Sequence, residues 1–99
     1  MIKVEVTKDR ISVLGHAMYD DYGKDIVCAA VSSIVTTSVE SIAAIDNDAI
    51  DVKEENNKVE IIINKHDDIT NKLINTMLTL SNELVKKYPR NIKITNKEE

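Results

Sequence analysis

The chain contains no tryptophan and no phenylalanine, and its only aromatic side chains are three tyrosines. A core must therefore come from isoleucine, valine and leucine, which suit strands and pack without ring stacking. There is one cysteine, Cys28. It cannot form an internal disulfide, which fits a reducing compartment, and with only two histidines beside it a zinc ligand set is out of reach. Excess positive charge is also missing: the net charge of −4 argues against non-specific binding to nucleic acid and is compatible with a basic protein or peptide as partner. No stretch near Met1 suits a signal peptide, and no later segment reads as long and apolar enough to span a bilayer, so the expected address is the cytoplasm without a membrane partner. Glycine-rich phosphate loops, paired metal-binding histidines and basic helices are absent, so neither a nucleotide, a metal nor another cofactor is expected.

What is present is one domain's worth of alternating and helical pattern in 99 residues. Residues 2–7 and 10–15 alternate like two strands, joined by a turn at Thr7-Lys8-Asp9-Arg10. Residues 16–24 have neither period and read as a mobile surface loop. Asp25 is a good N-cap, and the following twenty residues read as a mainly apolar helix that ends near Ala44-Ile45. Residues 50–53 and 58–63 form a second hairpin around Glu55-Asn56-Asn57. Asp67-Asp68 open a second helix whose stripe is Ile69, Leu73, Met77, Leu80, Leu84 and Tyr88, widened by Ile74 and Leu78, and Pro89 stops it. Residues 91–95 make a last strand. The predicted fold is α+β in ββαββαβ order, a small and mainly antiparallel sheet of about five strands with two helices packed on it. A first helix apolar nearly all round leaves a face that the sheet cannot cover, which motivates a homodimer.

Chemistry concentrates around Gly15-His16-Ala17 and Cys28, twelve residues after the histidine. With Asp25 as N-cap, Cys28 falls at N3, in the first turn, where backbone N–H groups and the helix dipole favour a thiolate. A core cysteine is the plainer reading of the same residue. His16 opens a loop at the end of a strand, where catalytic groups are often mounted, and Gly15 frees the backbone beside it. Asp25 either caps the helix or orients His16. Ser32 lies one turn beyond Cys28 on the same face and serves either as a contact near the thiol or as a hydroxyl bonded back to a carbonyl. His66 reads as structural or solvated. Asp20, Asp21, Asp46, Asp48 and Asp51 read as a solvated acidic surface.

These motifs, Gly15-His16-Ala17, then Gly23, then Asp25-Ile26-Val27-Cys28-Ala29-Ala30-Val31-Ser32, resemble the ribosomal-processing cysteine proteases called Prp in order and in His-to-Cys spacing. The resemblance extends to length and element order, and so covers essentially the whole chain. It implies that His16 and Cys28 are the catalytic pair, with Asp25, Ser32, Gly15 and Gly23 in support, and that the protein is a homodimer. It also implies the substrate: a bacterial large-subunit ribosomal protein, the L-twenty-seven protein, bearing an N-terminal extension that is cut after an aromatic residue. In the expected mechanism His16 takes the Cys28 proton, the thiolate attacks, and backbone N–H groups at the helix start hold the oxyanion. The loop to Lys24 would then close over substrate, with Gly23 as its hinge. The competing class is a non-catalytic, dimeric peptide-binding module of ribosome assembly, in which Cys28 is core. A thiol redox sensor is a third reading, weakened by the lack of a second cysteine.

Overall fold

The computed structural model describes residues 1–15 and 22–97, with the backbone alone at residues 22–25. Five strands and two helices follow one another as β1 (Ile2–Val6), β2 (Arg10–Leu14), α1 (Tyr22–Ile45), β3 (Ile50–Glu55), β4 (Lys58–Ile63), α2 (Asp68–Lys87) and β5 (Ile92–Asn96). The sheet order is β3-β4-β2-β1-β5. The β1–β2, β2–β4 and β3–β4 pairings are antiparallel, whereas β5 runs parallel to β1. The sheet is therefore mixed, and its one parallel pairing follows from α2 acting as the crossover that returns the chain to the β1 edge.

Side-chain alternation puts one apolar face of the sheet under the helices. The register aligns Val4 with Val13, Val13 with Val59, and Val59 with Glu54. A parallel row runs Val6, Ile11, Ile61, Val52. Ile11 and Ile61 are fully buried, as is Val27 on α1, and together with Ile42, Met77 and Ile92 they form the centre of the core. The other face is solvated: Glu60 pairs with Arg10 on the neighbouring strand and with Lys58 two residues back on its own, each at 3.4 Å.

The turns explain the hairpins. The Thr7 N–H donates to the Arg10 carbonyl at 2.8 Å and closes the first hairpin. In the second, Glu55 stays in the ladder opposite Lys58, leaving the two-residue turn Asn56-Asn57. Asn56 takes a φ of 47°, a left-handed conformation that asparagine tolerates.

Helix α2 begins as expected. The Asp67 side chain accepts the Thr70 N–H at 2.8 Å, and the charged cap together with Asp68 complements the helix dipole, as Lys86 and Lys87 do in the last turn. Its buried stripe differs from the expected one. Thr70, Ile74, Met77 and Ser81 are buried, while Ile69 and Leu80 are about half exposed. The helix is rotated toward Ile74 because it must pack against both α1 and β5. The small Thr70 and Ser81 permit that close approach, and Ser81 returns its hydroxyl proton to the Met77 carbonyl at 2.9 Å.

Two sequence expectations about α1 are corrected. First, the helix starts at Tyr22, so Asp25 is its fourth residue and not its N-cap, and the unpatterned segment stops short of Gly23 and Lys24. Second, Ile26–Ile45 has a mean hydropathy of 1.7 over a length that could cross a bilayer. In the structure it covers a sheet, burying Val27, Val31, Val35 and Ile42. Only 22% of that stretch is buried, and Ile26 and Ile45 are each 58% exposed.

Candidate functional site

Cys28 lies on α1 with its side chain turned into the core cluster, at 7% exposure. Counting from Tyr22 it is the seventh helical residue, near the end of the second turn rather than in the first. Its backbone N–H therefore belongs to the helix's own ladder. The position expected from Asp25 capping, with first-turn N–H groups aimed at the thiol and the Cys28 N–H serving an oxyanion, is not the one observed. Ser32 is half-buried one turn further along and borders the same side of α1.

Gly15 closes β2 with a φ of 78°, a left-handed conformation that carries no penalty only for glycine. Its N–H donates to the Asn57 carbonyl at 2.8 Å, which pins the end of β2 to the turn of the neighbouring hairpin. The chain thus leaves the sheet at a fixed point and in a direction that an L-residue would resist, immediately before His16. His16 itself lies outside the described residues. So does the Asp25 side chain, while Gly23 is placed only as backbone in the first turn of α1. Among the expected site residues, the structure therefore positions Gly15, Cys28 and Ser32.

A groove of about 260 Å³ runs alongside Ser32. Val13, two residues before Gly15, faces it from the sheet, and Val31 and Ser32, one turn after Cys28, face it from the helix. The groove thus joins the strand leading to His16 with the helix carrying Cys28, on the helix side of the sheet.

His66 belongs elsewhere. Its Nε2 lies 2.6 Å from Asp9 Oδ1, an exposed pair joining the β1–β2 turn to the β4–α2 connection. Asp9 precedes β2 and Gly15 follows it, so about 17 Å of strand separates this pair from Gly15. Close by, Lys65 Nζ donates to Asp46 Oδ2 at 2.8 Å. This bond holds the Asp46 carboxyl below its ordinary value and the Lys65 ammonium above its own. Asp67 is likewise held low, chiefly by the Thr70 backbone N–H. These are structural ties of loops to a helix start. Among the described residues no three His, Cys, Asp or Glu side chains gather closely enough to hold a metal ion.

The architecture has close counterparts. A crystal structure of the essential ribosomal processing protease Prp from S. aureus, in complex with a substrate peptide, superposes with a TM-score of 0.89 at 25% identity, covering 98% of this chain and 100% of that one. The same protein with a covalently linked product peptide gives 0.86 at 26% identity over the same shares. In sequence, the ribosomal processing cysteine protease Prp of Staphylococcus aureus is 30% identical over 86 residues, 84% of this chain and 81% of the relative. Its namesake in Mycoplasma genitalium is 46% identical over a 35-residue stretch, 35% of each chain. Fold and topology thus place the chain among small α+β cysteine peptidases. The family model described as cysteine protease Prp matches residues 1–93, and the chain belongs to that family.

Proposed function

We propose that the protein is a cytoplasmic cysteine endopeptidase that removes the N-terminal extension of a large-subunit ribosomal protein, the L-twenty-seven protein, with Cys28 as nucleophile and His16 as its general base and acid. The observation that carries this reading is the family match over residues 1–93, in a chain with a single cysteine to serve as the thiol. The names of the relatives support ribosomal processing as the task, and the product peptide linked covalently in the S. aureus structure supports acyl-enzyme chemistry. A net charge of −4 favours encounter with a basic ribosomal protein.

In this mechanism His16 removes the Cys28 proton, the thiolate adds to the scissile carbonyl, and His16 returns the proton to the leaving amine. Water then releases the acyl group. Gly15 sets the direction in which His16 leaves the sheet, and Ser32 acts as a polar neighbour one turn from the sulfur. Asp25 orients His16 in this reading, since capping is no longer its role. The apolar composition of α1, with Ile26 and Ile45 exposed on it, supports a homodimer in which a second copy covers part of the helix.

One observation favours the competing binding module: Cys28 is a member of the core cluster at 7% exposure, where a plain structural cysteine would sit. A peptidyl fluoromethyl ketone ending in an aromatic residue separates the two. On the protease reading it labels Cys28 stoichiometrically, as mapped by tandem mass spectrometry, and His16→Ala slows labelling by roughly 10²-fold or more. A thiol that stays unlabelled in native protein and reacts only after unfolding would make Cys28 core and remove the mechanism.

A further inference from the structure

The groove beside Ser32 has two carboxylates where its apolar pattern calls for hydrocarbon. On the sheet, the cross-strand row Val4, Val13, Val59 ends at Glu54, on the helix-facing side of the edge strand β3. On α1, Val31, Val35 and Val39 line the groove and Glu40 follows them. Glu54 and Glu40 therefore stand on opposite walls of one valine-floored channel, both exposed. Among the described residues no lysine or arginine lines that channel, and neither carboxylate is in an ion pair. Strand alternation sends Lys53, the residue before Glu54, to the opposite face of the sheet, where it meets Glu55, Lys58 and Glu60. Val52, on the channel side, is 40% exposed. A short apolar channel walled by two unneutralised acids fits a chain that is apolar with a basic residue in it.

We propose that this channel holds an extended stretch of the substrate, with apolar side chains on the valines and a lysine or arginine against Glu40 and Glu54. The inference rests on the protease reading and adds to it a specificity site. Continuity supports it, because the channel begins one helical turn after Cys28. Twelve residues of α1 separate Cys28 from Glu40, about 18 Å at the helical rise, which an extended peptide spans with about five residues. The favoured basic residue therefore lies within about five positions of the scissile bond.

The test uses the Cys28→Ala protein, which cannot cut, and fluorescein-labelled decapeptides with four consecutive apolar residues followed by Lys, Gln or Glu. Fluorescence anisotropy should show the Lys peptide binding roughly five-fold tighter than the Gln peptide, with the Glu peptide weakest and the spread shrinking as salt rises. Adding Glu40→Gln and Glu54→Gln, both at exposed positions, should bring the three peptides together while leaving the thermal melt unchanged. Indistinguishable peptides in the parent, or a preference that survives both substitutions, would overturn the proposal. So would a concentration-dependent mass that falls on Val52→Lys with peptide binding unaltered, because the channel would then belong to a second copy. Incubating the extension-bearing ribosomal protein with wild-type protein tests the protease reading separately: an uncut substrate with an intact Lys preference among the peptides would strike that reading and spare the channel.

Discussion

Replacing Gly15 by alanine tests how the sheet delivers His16. Gly15 sits at φ 78° with its N–H bonded to the Asn57 carbonyl at 2.8 Å. An L-alanine must either accept the left-handed conformation, at roughly 1–2 kcal/mol, or rotate out of it and give up that bond. For a domain of this size 1 kcal/mol corresponds to about 4–8 °C in Tm, so the L-alanine protein should melt measurably lower. A D-alanine at the same position has the mirrored preference and should melt at or above the parent temperature, because it restricts only the unfolded chain. Both proteins are accessible by total chemical synthesis, and calorimetry gives the comparison directly. If the turn also aims His16, kcat should fall in the L-alanine protein and recover in the D-alanine one. Equal melts and equal rates for the two enantiomers would mean that the φ of Gly15 carries no weight, since they differ only in the sign of the φ they prefer.

Ile61→Ala removes a fully buried side chain from the central row of the sheet and should cost about 2–5 kcal/mol by urea unfolding. A cost under about 0.5 kcal/mol, the range of surface substitutions, would contradict the assigned core. The carboxyls of Asp46 and Asp67 are held below their ordinary values in the fold, so the stability they contribute is present above pH 4 and disappears as pH falls through the lowered values. Asp67→Asn should flatten the acid limb of a Tm-against-pH curve while keeping a side-chain acceptor for Thr70, and an unchanged acid limb would count against the cap. Ser32→Ala should slow turnover without abolishing it, whereas an unaltered rate and thiol reactivity would return Ser32 to a purely structural role.

The strands were legible in the sequence because alternation and turn chemistry agree. Thr7 to Arg10 closes the first hairpin, and Asn56-Asn57 suits the second. The start of α1 was not, and the cause is specific. Asp25 carries a strong capping preference, yet the helix runs three residues further back through Gly23, a poor helix former. Local preference pointed to one residue, and the helix begins at another. That difference moves Cys28 from the first turn to the second and removes the simplest argument for an activated thiol.

The α2 stripe was displaced for a related reason. Ile69 and Leu80 are as apolar as Ile74, and only the position of α1 and β5 decides which of them is covered. The pairing of His66 with Asp9 joins residues far apart in sequence, and nothing local announces it. Glu40 and Glu54 look like ordinary surface acids until the register places Glu54 beside Val59 and the helix leaves β3 partly uncovered. What sequence did carry was the spacing of Gly15, His16 and Cys28, which is a chemical pattern and survives errors in helix boundaries.

An enzyme that cuts a peptide bond with Cys28 must shorten its substrate and lose that activity with the thiol. Mass spectrometry of an extension-bearing large-subunit ribosomal protein, incubated with wild type and with Cys28→Ala, tests this most directly. The wild type should make a single cut near the substrate's N-terminus, and the variant should leave the mass intact. Cleavage by both proteins, or an intact substrate with both, would contradict the Cys28 mechanism.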